Sequence, residues 1–282
     1  MPPPLGYYLG LPAWAFPGWT GEYFPAPGPA SSTLGHYASV FNTVEGNTTF
    51  YRIPDVPTVQ RWQEAVSGTA FQFSFKLPRS ITHESRPDWR ALAQFMDVLA
   101  PLGNQLGPFL VQCPASLGPD ALPQLERLFE QLPAQLRYVL EVRHPAFFDS
   151  PEQLEPLLAR HNAGRVMFDS RPIYQGDSDH PEVLAARHKK PDVPLLDTVY
   201  NDLVYARVVL HPEAESNERF IAEWLDRMNA YLAAGHDIFF MMHCPNNQHC
   251  PAFAADFHEQ LRERAGLPAL PAWPLPRQDS LF

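Results

Sequence analysis

Cysteine is scarce in this chain: three residues in 282, Cys113, Cys244 and Cys250. An odd trio excludes a disulfide framework. Long apolar runs are missing as well. No stretch nears the ~18 residues that a membrane helix needs, and Met1-Pro2-Pro3-Pro4 lacks the basic and apolar regions of a signal peptide. A cytoplasmic protein with no membrane partner is the expectation. Lysine is almost absent, with Lys76, Lys189 and Lys190 the only three among 21 basic residues, and the formal charge is −10. So acidic a chain does not hold nucleic acid by bulk charge, only through a local basic patch. No Gly-rich dinucleotide turn follows a predicted strand, and no serine sits in a G-x-S-x-G elbow. Cys113, between Gln112 and Pro114, reads as a packed strand-end thiol.

What is present is enough apolar content, 45%, for a full core, and 32 prolines that punctuate most junctions. Eight segments read as strands: Tyr7–Leu11, Phe41–Tyr51, Phe71–Leu77, Pro108–Gln112, Tyr138–Arg143, Arg165–Asp169, Val204–His211 and Ile238–His243. Helical spacing falls between them, at Thr33–Ser39, Thr58–Val66, Trp89–Pro101, Ala121–Leu132, Pro151–Asn162 (closed by Gly164), Asn217–Ala234 and Ala254–Ala265. Residues Ser170–Thr198 are polar, without periodicity, and read as one long excursion. Strands alternating with helices over this length predict an α/β fold, a single (β/α)8 TIM-type barrel over 1–266, with a doubly wound open sheet as runner-up.

In such a barrel the strand C-termini build the site. Alternation along Phe41–Tyr51 places Thr43, Glu45, Asn47, Thr49 and Tyr51 on one face. Leaving such a row unpaired in a core costs about 1–3 kcal/mol per group, so a polar cavity is expected. The other strand ends add Lys76, Gln112, Glu141 with Arg143 and His144, Asp169, His211 and His243. Glu45 and Glu141 can be general acid and base, with pKa values raised by apolar walls, or can bind a cation; Asp169 is counted with the catalytic residues as an accessory or metal-binding carboxylate. Lys76, with Arg79 and His83, suits an anion such as phosphate or carboxylate. Arg207 lies mid-strand and reads as part of a buried charge network with Glu141 and Lys76. Trp14 and Trp19 form either a plug over one barrel end or a stacking wall for a ligand. His211 and His243, with the carboxylates, offer ligands for a divalent metal. The run from His243 to Cys250 (H-C-x4-H-C) invites zinc, or else is a polar loop whose Asn246 and Asn247 are turn or ligand-binding amides.

The pieces F-N-T-V-E-G-N-T-T-F-Y at 41–51, F-K-L-P-R-S-I-T-H at 75–83, L-G-P-F-L-V-Q-C-P at 106–114 and E-V-R-H-P-A-F-F at 141–148 resemble the DUF72 (YecE-like) family, which implies a TIM barrel. Weaker matches are the strand entering His211 and the Asn pair at 246–247. The family pattern V-E-I-N-S-T-F-Y differs at Gly46 and Thr48, and Gly46 is expected to loosen packing against the helices. His211-Pro212 stands where many relatives have H-G. The resemblance implies a fold rather than an activity. These barrels look similar to metal-dependent endonuclease and sugar-isomerase barrels, an analogy that points to phosphodiester or sugar substrates.

Residues 267–282 form a proline-rich tether ending in Gln278-Asp279-Ser280-Leu281-Phe282. This Q-x-x-L-F form resembles the peptide by which bacterial polymerases and repair proteins bind the DNA sliding clamp, with Gln278, Leu281 and Phe282 as anchors. The alternative is a tail folded back onto the barrel. The expectation is therefore a barrel hydrolase or isomerase acting on a small anionic, phosphate-bearing or sugar-like ligand, recruited to DNA by its tail. The rival is a non-catalytic binding barrel.

Overall fold

The computed structural model describes residues 6–25, 30–176 and 178–275, with the side chains of 30–32 left aside. Eight strands alternate with helical segments: β1 Tyr7–Leu11, β2 Thr43–Gly46, β3 Gln72–Phe75, β4 Phe109–Gln112, β5 Tyr138–Glu141, β6 Gly164–Asp169, β7 Leu203–Val209 and β8 Asp237–His243. They pair in parallel in the order β3-β2-β1-β8-β7-β6-β5-β4. The ring closes between the β3 and β4 segments at two isolated bridges, Phe73 with Leu106 and Lys76 with Leu110, where Gly107 N–H donates to Phe73 O at 2.8 Å and Leu77 N–H to Leu110 O at 3.0 Å. This is the α/β barrel expected from strand–helix alternation. Among the described residues no helix is long and apolar enough to cross a membrane.

Alternation sorts the side chains. Leu110, Val139, Val166, Phe168, Leu203, Tyr205, Phe239 and Met241 pack together in the barrel interior. Their sequence neighbours Val111, Leu140, Met167, Val204, Phe240 and Met242 belong to the separate cluster shared with the helices. Inside, Ser74 Oγ meets Tyr205 OH at 2.7 Å, a polar tie from β3 to β7. Helix entries follow local rules. Asp88 caps Trp89–Leu99 by accepting from Arg90 and Ala91 N–H, and Asp55 caps Val56–Ala65 through Thr58 N–H.

Three expectations change. The polar stretch is not one strand: β2 stops at Gly46, and Asn47–Phe50 winds into a 3-10 turn. Thr49 therefore spends its hydroxyl on Gly46 O and Lys76 O, and Tyr51 is 81% exposed on the rim. Gly46 does not loosen packing. A Cβ there would stand 2.4 Å from Phe75 Cδ1, so the glycine admits the Phe75 ring, which stacks on Phe73 and Trp62. Finally, Gly164 closes no helix. The left-handed residue there is Asn162, at φ 47°, and Gly164 opens β6.

The first part of the tether lies against the barrel. Leu267 is buried, Pro268 O contacts His258 Nε2 at 2.9 Å, and Trp273 packs on Tyr23, Phe24 and Phe41. Gln278, Leu281 and Phe282 lie outside the described residues.

Candidate functional site

The C-terminal end of the barrel opens into a cavity of about 530 Å³. Its floor is one connected network. Arg207, inward on β7, reaches Glu45 of β2 through Nε (2.6 Å) and Nη2 (2.7 Å), and Glu141 of β5 through Nη1. Glu45 also accepts from Asn47 Nδ2 at 2.7 Å and lies 3.4 Å from His243 Nε2. Glu141 accepts from Arg143 Nε at 2.7 Å. Arg143 and Lys76 then share one acceptor, Gln112 Oε1, at 2.9 and 2.8 Å. Every charged member of the floor thus has a partner, as burial demands.

The electrostatics follow. Burial alone would raise the Glu45 carboxyl, but Arg207, then His243, hold it well below the usual range. Burial likewise opposes ionisation of Glu141, and Arg207, Arg143 and Lys76 outweigh it, bringing it to about 2. The raised carboxyl pKa values expected of an acid/base pair are overturned: both groups are fixed anions at neutral pH. Lys76 is the reverse case. It is 8% exposed, and burial with the nearby Arg207 lowers its amine to about 7. Burial lowers His243 to about 4, and burial together with Lys76 does the same to His83.

The excursion between β6 and β7 supplies what the sequence reading missed. It carries the helix Pro181–Arg187 and then Lys189 and Lys190, both of which line the cavity. Burial, then Arg207, lowers Lys190 to about 8. All three lysines of the chain therefore meet at one opening, with Arg79, Arg143 and Arg207. Among the described residues no lysine has a carboxylate within 4.0 Å, and six cations face the two buried carboxylates of Glu45 and Glu141. Phe50, Tyr51, Pro12 and Pro245 give the walls an apolar component. The available signal was lysine scarcity itself: two of three lysines stand together in a loop on the site-bearing side.

The other anticipated residues fall in different places. Asn47, Tyr51, Lys76, Arg79, His83, Gln112, Arg143, His243 and Asn247 line the cavity. Asp169 does not: it faces the helices, where it binds Arg171 and accepts from Trp224 Nε1 at 2.7 Å. Strand parity decides this, because Phe168 takes the inward position. His144 accepts from Ala146 N–H and packs on Phe147. Asn246 donates to Glu182 and accepts from Gln248 N–H, a turn amide. Trp19 is 1% exposed and donates to Asn247 O at 2.9 Å, so it plugs the core rather than walling the mouth. Trp14 packs on Trp62 and Phe73.

The donor set does not fit a divalent metal. Arg207 occupies both carboxylates, and His211 is held by Ser178 Oγ and Glu213 N–H, apart from His243 and Glu45. Among the described residues no three His, Cys, Asp or Glu side chains stand where they could hold an ion. The zinc reading of the β8 tail fails on its own geometry. Cys244 and Cys250 face each other, Sγ to Sγ at 3.3 Å, while His249 is exposed against Phe253.

Comparison with known proteins agrees with this barrel. The UPF0759 protein YecE of Escherichia coli (strain K12) is 33% identical over 286 residues, covering 98% of this chain and 99% of that protein. A DUF72 family protein from Thermotoga maritima MSB8 superposes with a TM-score of 0.65 at 22% identity, over 90% of this chain and 98% of that one. One from Enterococcus faecalis V583 gives 0.63 at 20%, over 93% and 98%. The family described as "Protein of unknown function DUF72" matches residues 8–278, and the chain belongs to it.

Proposed function

We propose that this barrel is an enzyme acting on a small phosphate-bearing, sugar-like substrate held in the cationic mouth. One observation carries the reading: every lysine of a chain with net charge −10 lines the same cavity, beside three arginines. Concentrating cations against the sign of the whole molecule favours a local anion and disfavours a long polyanion. In this reading Arg79 and Lys189, both exposed, take the phosphate with the partly buried Lys190, and Phe50 and Tyr51 take the apolar face of a sugar. Glu45 and Glu141 hold Arg207 in place rather than moving protons, and Lys76 is the group able to change charge near neutral pH.

Calorimetric titration with sugar phosphates and the matching neutral sugars tests this. The phosphorylated forms are expected to bind, more weakly at high salt and in Lys190→Met; equal binding of the neutral sugars defeats the reading. The pairing of both carboxylates with Arg207 favours a second reading, a non-catalytic binding barrel. Binding without turnover in a screen of sugar phosphates and phosphodiesters supports that one.

The terminal peptide carries a separate proposal, docking on the bacterial sliding clamp through Gln278, Leu281 and Phe282, supported by its sequence form. Deleting residues 278–282 should abolish clamp binding in a direct titration, and unchanged affinity defeats it.

A further inference from the structure

We propose that Lys76 is a nucleophilic amine that condenses with the carbonyl carbon of a phosphorylated aldehyde or ketone in the barrel mouth, forming a protonated imine. The phosphate half of this ligand rests on the anion-binding reading above; the amine chemistry rests on the surroundings of Lys76 itself.

An ammonium is stable in a protein when water or carboxylates surround it, and Lys76 has neither arrangement. Its side chain emerges from the β3 end at the point where the barrel closes, 8% exposed. No carboxylate lies within 4.0 Å among the described residues, because Glu45 and Glu141 are taken by Arg207 and Arg143. Among the described residues its one hydrogen-bond acceptor is the neutral Gln112 Oε1, already shared with Arg143. Phe50 presents its ring 3.7 Å from Nζ, which partly compensates the charge but supplies no acceptor. The charged groups around it are Arg207, Glu141, Glu45 and Arg143 on the floor, the two carboxylates already paired with the guanidinium groups, and His83, kept neutral, stands on the near wall. A lysine desolvated among other cations is the arrangement that leaves an amine unprotonated and nucleophilic at neutral pH. With its amine at about 7, Lys76 presents roughly a thousandfold more free base at pH 7 than an exposed lysine does.

The cavity supplies the second half. Lys76, 8% exposed, lines it together with the exposed Arg79 and Lys189 and the partly buried Lys190. A ligand anchored there by phosphate directs its far end toward the amine. The step balances without any cofactor. The Nζ lone pair forms the C–N bond, and the carbonyl oxygen leaves as water carrying both amine hydrogens or their solvent-exchanged equivalents. One proton from solvent remains on the C=N nitrogen.

Glycolaldehyde phosphate and glycolaldehyde are incubated separately with the full chain and sodium borohydride, whose hydride reduces an imine to a stable secondary amine. Peptide mass mapping then locates the label. The expected result is labelling at Lys76 by the phosphorylated probe, about tenfold above Lys190 as their pKa values require, and suppressed by inorganic phosphate. Label absent from Lys76, or spread evenly over Lys76, Lys189 and Lys190, overturns the proposal. Lys76→Arg keeps the cation and removes the nucleophile, so it should lose the label while holding inorganic phosphate within a few-fold. Phosphate binding by a wild-type chain that takes no label overturns the imine and leaves the anion reading standing. Equal labelling of Lys76 by the neutral aldehyde, with no phosphate binding, does the opposite.

Discussion

Arg207 and Glu45 face each other across the barrel interior in a two-pronged pair, Nε to Oε2 at 2.6 Å and Nη2 to Oε1 at 2.7 Å. They come from β7 and β2, which are not neighbours in the ring. With Glu141 on the guanidinium's other side, the pair forms the floor of the mouth. It also decides the chemistry above it. Two carboxylates that look like an acid/base pair in sequence are consumed as counter-ions, which leaves lysine as the titrating group.

Arg207→Met therefore takes the guanidinium from Glu45 and leaves Glu141 with Arg143 as its ion-pair partner. Removing one partner of a buried ion network costs about 3–5 kcal/mol, whereas replacing the whole network with neutral groups is often close to neutral. Urea unfolding of Arg207→Met should show a loss of that order. Adding Glu45→Gln and Glu141→Gln to the same chain should recover much of it. A triple variant no more stable than the single one sinks this account of the floor.

Acid should weaken the fold in two stages. His243, 3% exposed beside Glu45, is held neutral, with a folded pKa of about 4 against about 6.5 unfolded. Between those values the unfolded chain binds a proton that the folded one refuses, so stability falls as pH drops from about 6.5 to about 4. The His83 shift has the same sign. Glu45 and Glu141 are depressed instead. Their contribution is complete above the unfolded carboxyl value of about 4.3 and is lost as pH falls through the folded values, about 2 for Glu141 and well below the usual range for Glu45. Thermal melts of wild type should thus decline well above pH 4, and His243→Gln should flatten that upper limb. A flat melting temperature from pH 6.5 to 4 contradicts it.

The barrel was legible because period-2 and period-3.6 patterns survive in nearly every segment, from Phe71–Leu77 to the helix before β8. Glu45, Lys76 and Arg143 were legible because strand C-termini are where a barrel places its site. Errors arose where parity or chain path decides. Asp169 is a strand-end carboxylate facing outward, and Phe168 beside it already marked the inward position. Asn47–Phe50 reads as strand, but turns into a 3-10 helix once Thr49 bonds Gly46 and Lys76 carbonyls. Lys190 has no local pattern at all. Only the folded path of the excursion brings it to Lys76, and sequence periodicity does not encode that path.

Cys244 and Cys250 are free thiols close enough for an oxidant to join them. Their Sγ atoms are 3.3 Å apart, and Cys244 lines the cavity. Cys113 is buried elsewhere, its thiol pushed up to about 12 chiefly by burial. Diamide, which removes two protons and two electrons from a thiol pair, should join Cys244 to Cys250. Thiol counting in the unfolded chain should then fall from three to one, with Cys113 remaining. A count that stays at three, or a mass map that joins Cys113, refutes the pairing.

Lys76 and Lys190 should make anion binding depend on pH in a direction opposite to imine formation. Sulfate is the clean probe, since it keeps its charge over this range. In the free protein Lys76 titrates at about 7 and Lys190 at about 8, both lowered by burial and then by Arg207. Each lysine is a cation below its value and neutral above it. Sulfate affinity should therefore be greatest near pH 6 and fall as pH rises through 7 and 8, by about tenfold where Lys190 gives up its charge-assisted hydrogen bond and by less where Lys76 loses only its charge beside the anion. Lys76→Met should weaken binding at pH 6 and remove the lower inflection, while changing little at pH 9. Lys190→Met should remove the upper one. Borohydride trapping at Lys76 needs the free amine and should climb over the same interval in which sulfate affinity declines. Calorimetry at four or five pH values separates the cases, and a sulfate affinity that is flat from pH 6 to 9 removes both lysines from the site.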